Sequence, residues 1–198
     1  MLSESVWNAN LLAQFSAISF IGTSVPDLTD ALSKGFTNHI SGKSFSTTDI
    51  GTIGTGVGSG TGIGLNVSSS VITSSIYSSL LSKGFDGSQL LPMCQAIGLA
   101  NNLSLLNCML TSNHSLINGS GTVIPSSIEV SSSAMSFEIQ NNTTILTGDK
   151  FPDFCDGVAE GFVNSIQTVS TGNVIISPVP ITAIPISPGS GTGTGIIT

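Results

Sequence analysis

One block occurs three times in this chain, and it limits the possible folds more than any other feature. It reads Phe20-Ile21-Gly22-Thr23-Ser24-Val25, then Phe85-Asp86-Gly87-Ser88-Gln89-Leu90, then Leu146-Thr147-Gly148-Asp149-Lys150-Phe151. Each copy is Phe or Leu, any residue, glycine, a helix-capping residue, and then the start of an apolar helical face. Thr23, Ser88 and Asp149 are good N-caps, able to accept from an unpaired amide of the first turn. The glycine before each is expected to permit a sharp chain reversal.

Behind the caps, apolar or small residues recur at helical steps. They are Val25, Leu28, Thr29 and Leu32 in the first copy; Leu90, Met93, Cys94 and Ile97 in the second; Phe151, Phe154, Cys155 and Val158 in the third. Each set is one stripe of an amphipathic helix. Thr29, Cys94 and Cys155 are equivalent, spaced 65 and then 61 residues apart. The first and third copies also share Pro26/Pro152, Asp27/Asp153, Asp30/Asp156, Gly35/Gly161 and Phe36/Phe162. Agreement at so many aligned positions identifies an internal triplication.

The expected fold class is therefore α+β, with three pseudo-repeats of about 61–65 residues, each a pair of short helices followed by Gly/Thr-rich strand segments. The units are placed at 1–66, 67–133 and 134–198, the last ending in a Pro-rich arm. In unit one the spacing predicts helices over 5–18 and about 24–40, the second interrupted or ended near Gly35 or Gly42. Unit two gives a Ser-diluted helix over 71–81, then a capped helix from Gln89 reaching toward Met109 and expected to be the longest. Strand signals follow over 123–130. In unit three, Phe137, Ile139, Ile145 and Leu146 mix strand and helix signals; a capped helix spans about 150–167, and 173–176 reads as a strand.

The Gly/Thr segments are the second recurring theme. Gly54, Gly56, Gly58, Gly60 and Gly62 alternate with Thr, Val and Ser; Gly119 and Gly121 repeat the pattern, and so do Gly189, Gly191 and Gly193. In a strand, such alternation puts bare backbone on one face. These glycines are the suspected assembly segments, where another chain could approach closely or add a strand. A flexible linker is the competing reading. The Pro-rich stretch over 178–188 lacks ladder donors at each proline and reads as an extended arm.

Composition excludes several function classes. With 4 Lys, no Arg, 11 acidic residues and a net charge of −7, the chain lacks the cations that neutralise phosphates, so nucleic acid is not an expected partner. Only 8% of residues are charged and the mean hydropathy is +0.41, against about 25% charged in ordinary soluble domains. Surface covered by other subunits accounts for that. No apolar run of about 18 residues is present for a membrane span. The first twenty residues have neither a basic start nor a small-residue cleavage site, so no signal peptide is expected. Cys94, Cys108 and Cys155 have no metal-like spacing and are expected as buried thiols.

No catalytic, cofactor-binding or metal-ligating residues emerge. Strict period-two glycines cannot supply G-x-G-x-x-G, and Gly42-Lys43-Ser44 lacks the first glycine of a phosphate loop. His39 and His114 lie far apart without a ligand set. Asp27, Asp30, Asp153, Asp156 and Glu160 fall in the early turns of two helices, where carboxylates complement the helix dipole. No G-x-S-x-G elbow occurs. Asn66-Val67-Ser68, Asn113-His114-Ser115 and Asn142-Thr143-Thr144 fit the glycosylation pattern, as a chain rich in Ser, Asn and Thr does by accident.

The repeated Phe-x-Gly-cap block and the Gly-Thr-Gly-Thr-Gly segments resemble small virion structural proteins of large contractile-tailed bacteriophages. The resemblance implies a non-enzymatic structural subunit, in tail, baseplate, neck or capsid association, whose partners are other virion proteins and copies of itself. It implies no active-site residues, no cofactor and no membrane partner. A host-surface or carbohydrate-binding module is the first alternative, though one Trp and one Tyr give few aromatic platforms. A membrane-active helical protein is the second, and it would need basic helix faces that the chain lacks.

Overall fold

The computed structural model describes residues 3–52, 57–117, 120–143, 148–170, 174–176 and 188–197. Six helices carry its core: α1 (Glu4–Ala17), α2 (Val25–Ile40), α3 (Ser69–Ser82), α4 (Leu90–Leu106), α5 (Ser132–Asn141) and α6 (Phe151–Ser170). Each packs on the next, and α6 packs back on α1, so the six close into a ring.

The sequence explains the two roles helices take in this ring. On α1 the buried stripe is Trp7, Leu11 and Phe15; on α3 it is Ile72, Ile76 and Leu80; on α5 it includes Met135 and Ile139. These lie at steps of four, a narrow stripe that seals one face and leaves the rest to solvent. By contrast α2, α4 and α6 are buried on a broad face. Leu32, Ile97 and Val158, equivalent in the repeat, are all fully buried. Trp7 fills the joint between first and last helices: its ring packs on Phe36 at 6.1 Å and on Phe162 at 5.4 Å.

Small residues set how closely the helices approach. A Cβ on Gly161 of α6 would come within 2.6 Å of Leu11 on α1, and one on Gly98 of α4 within 2.7 Å of the Ser69 carbonyl on α3. Both glycines are therefore packing devices.

The expectation of an α+β fold is overturned. The fold is mostly helical, and the three helix pairs pack around one shared core. Among the residues whose burial is described, Ile128 is the strand residue in that core. The physical reason lies in the Gly/Thr pattern itself: glycine at every second place supplies no apolar side chain with which to build a core layer. The extended segments are β1 (Ser44–Thr52), β2 (Val57–Ile63), β3 (Met109–Ile117), β4 (Ser120–Glu129), β5 (Val174–Ile176) and β6 (Pro188–Ile197). Their backbones pair antiparallel in the order β4-β3-β2-β1-β6-β5.

Other expectations shift as well. Of the residues read as mixed, Phe137 and Ile139 lie in the helix α5, within which the 133/134 unit boundary also falls, and Ile145 and Leu146 lie outside the described residues. The longest helix is α6, with 20 residues against 17 in α4, and α4 stops before Met109, which begins β3. Gly35 does not interrupt α2; the chain leaves the helix after Ile40 and turns at Gly42 with φ +76°. The arm over 178–187 lies outside the described residues.

Candidate functional site

The recurring block builds the same turn each time. The amides of Val25, Leu90 and Phe151 donate to the carbonyls of Gly22, Gly87 and Gly148 at 3.2, 3.2 and 3.0 Å. One step on, Leu28, Met93 and Phe154 donate to Ser24, Gln89 and Lys150, each at 3.0 Å. Three sequence copies thus start three helices through one hydrogen-bond pattern.

The expected caps are corrected here. The helices begin one residue later than the capping reading required, so Ser24 and Gln89 occupy the N-cap positions of α2 and α4, with no side-chain cap bond. The motif glycines are not uniformly strained either: Gly87 has φ +123°, whereas Gly22 and Gly148 stay out of the left-handed region. Among the helices whose N-cap is described, a side-chain cap forms at α5, from Ser131, while the Ser3 and Ser68 side chains make none. Ser3, Ser68 and Ser131 precede α1, α3 and α5, and each hydroxyl meets that of Ser5, Ser70 or Ser133 at 2.7–3.1 Å. Ser131 also accepts from the Ala134 amide. In a chain this rich in serine, the Ser-x-Ser signal is hidden by its own abundance.

Ring closure brings the three blocks together at one end of the helices, around an apolar mouth of about 600 Å³. Block one contributes Phe20 and Leu28, block two Phe85, Leu90 and Met93, and block three Phe151 and Phe154. The aromatic rings form a chain across the first and third blocks: Phe15 lies 5.2 Å from Phe20 and 5.9 Å from Phe154, which lies 6.3 Å from Phe151. Beside them Ile21 stands 80% exposed. A volume of this size is within the range of ligand and partner pockets.

The rim is acidic. Lys83 reaches from the end of α3 to Asp30 at 2.7 Å and Asp27 at 3.3 Å on α2. The hydrogen bond to Asp30 is the main reason its ammonium is held above the usual lysine range, with Asp27 adding to it. Lys150 is paired with Asp153 at 2.8 Å. Both cations at this end are thus matched by carboxylates, while exposed Asp86 and Asp149 have no ion pair among the described residues. Gln89, also lining the mouth, keeps a buried side-chain oxygen without a hydrogen-bond donor.

The suspected assembly glycines fall elsewhere. Gly58, Gly60 and Gly62 lie in β2, Gly121 in β4, and Gly189, Gly191 and Gly193 in β6; Gly54, Gly56 and Gly119 lie outside the described residues. Both β2 and β6 are flanked on two sides, β2 by β1 and β3, β6 by β1 and β5. Their ladder groups are taken within the chain, and β4 and β5, the ends of the strand order, are themselves in contact.

The remaining candidates have structural roles. His39 is buried at the end of α2, and its Nε2 accepts from the Ser68 amide at 2.9 Å. Burial, with Lys43 nearby, holds its pKa below 6.5. Cys94, Cys108 and Cys155 are buried free thiols, and desolvation raises Cys94 and Cys155 to about 12. Asp156 accepts from Ser136 at 2.5 Å, tying α6 to α5. Among the described residues no group of three or more His, Cys, Asp or Glu is placed to hold a metal ion. Nor, among them, is any helix long and apolar enough to cross a membrane.

The fold and site define a class by construction: a six-helix ring with pseudo-threefold helix starts and an apolar mouth. Compared with family models, curated proteins and solved structures, the chain matches none.

Proposed function

We propose that this protein is a non-enzymatic structural subunit of a viral particle that works through contacts with other subunits. The observation that carries the reading is the apolar mouth, assembled from all three copies of the recurring block. Half-buried Phe20, Phe85, Met93 and Phe151 line a concave apolar surface, and such a surface is normal where another one covers it. The scarcity of charge, 8% of residues, fits the same economy. The Gly/Thr segments of β2 and β6 pair within the chain, so the reading rests on the mouth.

Light scattering after gel filtration tests this reading. Oligomers, or insolubility relieved by co-expression with particle proteins, are the expected result. A soluble 20.1 kDa monomer that engages no such protein overturns it.

A further inference from the structure

We infer that the mouth receives a partner segment that is both apolar and basic, such as a helix or loop setting two or three large apolar side chains among lysines or arginines. This deepens the subunit reading and rests on it. Shape supplies the apolar half: Phe85, Phe151 and Phe154 line a concavity of about 600 Å³ with Leu28, Leu90 and Met93. Anchors of that kind are how an amphipathic segment seats in a groove.

Charge supplies the other half. Five carboxylates, of Asp27, Asp30, Asp86, Asp149 and Asp153, stand at this end of the helices against the ammonium groups of Lys83 and Lys150. Both lysines are already held by carboxylates, which leaves Asp86 and Asp149 to face an incoming chain. An anionic occupant, whether a fatty acid, an acidic peptide or an anionic bilayer, would meet like charge at the rim, whereas Lys or Arg would meet complementary charge.

The test uses the full chain and two synthetic labelled amphipathic peptides of identical spacing, one built of Leu and Lys, the other of Leu and Glu. Fluorescence anisotropy is expected to show the Leu/Lys peptide binding at least about tenfold tighter, with the preference shrinking as salt rises. The D86K/D149K double variant alters two exposed side chains and should preserve helicity; it is expected to weaken the Leu/Lys peptide about tenfold. Phe85→Ser should abolish binding. Equal or tighter binding of the Leu/Glu peptide, or of phosphatidylglycerol vesicles, overturns the basic-partner inference while leaving the subunit reading standing. So does self-association of the free chain that Phe85→Ser dissolves, since the occupant is then a second copy. If neither peptide binds and the chain is monomeric and inert toward particle proteins, both readings fall together.

Discussion

Ser19 shows how much of this fold is decided one residue at a time. It closes α1 with φ +57°, in the left-handed region that L side chains disfavour, and Gly84 closes α3 at the equivalent place with φ +82°. In both, the following phenylalanine donates back across the helix end, Phe20 to Phe15 at 2.8 Å and Phe85 to Leu80 at 3.1 Å. The left-handed residue is the helix-terminating device that aims each phenylalanine into the mouth. Ser19→Gly is therefore expected to stabilise the protein by about 0.5–1 kcal/mol, read from urea midpoints at unchanged slope.

His39 is a second single-residue control. Its neutral ring accepts from the Ser68 amide, the residue before α3, so protonation would remove the acceptor. Its folded pKa lies below the unfolded value of 6.5. Below pH 6.5 the unfolded chain binds the proton more readily, so stability present above that pH is lost as pH falls toward the folded pKa. Melting temperatures at pH 7.5 and pH 5 should differ less in His39→Gln than in the parent; an identical difference would refute the role given to this ring.

At the scale of elements, the joints between helices are set by glycines with little to do with turns. Gly161→Val should cost about 1–3 kcal/mol, because its branches would enter Leu11 on α1. Gly148 belongs to the recurring block, yet a Cβ there meets nothing within 4 Å. Gly148→Ala should change stability by less than about 0.5 kcal/mol. Thermal denaturation of the pair would separate packing glycines from motif glycines; a reversed order would refute the close-approach account. The helix stripes were legible here: Leu28, Thr29, Leu32, Cys94, Ile97, Phe154, Cys155 and Val158 follow helical spacing and are all buried. The α5 helix was not, because Phe137 stands 61% exposed and blurs the period.

For the whole molecule, ring closure predicts one cooperative transition. Trp7, the single tryptophan, sits on α1 against Phe36 of α2 and Phe162 of α6, where the two ends of the ring meet. Its fluorescence and the far-UV helical signal should lose amplitude at the same midpoint. Separate midpoints would mean that the first and last helices part before the rest melts. Trp7→Ala should cost about 3–5 kcal/mol by leaving that joint empty.

By itself the sequence determined the periodic and local features: three equivalent helix starts, the apolar stripe behind each, and buried thiols at matching positions. These depend on residues a few places apart, and helical spacing exposes them directly. Tertiary structure alone decided that the three blocks face one another. The mouth joins Phe20, Phe85 and Phe151, which the recurring block sets at three helix starts far apart in sequence, and local spacing does not tell that these starts meet. It exists only because α6 returns to α1. The strand neighbours of the Gly/Thr segments likewise came from the tertiary structure: the same alternation suits a free edge or an interior strand, and β2 and β6 lie inside the strand order. Local spacing records which face of a helix is apolar; which faces meet depends on how the chain closes in space.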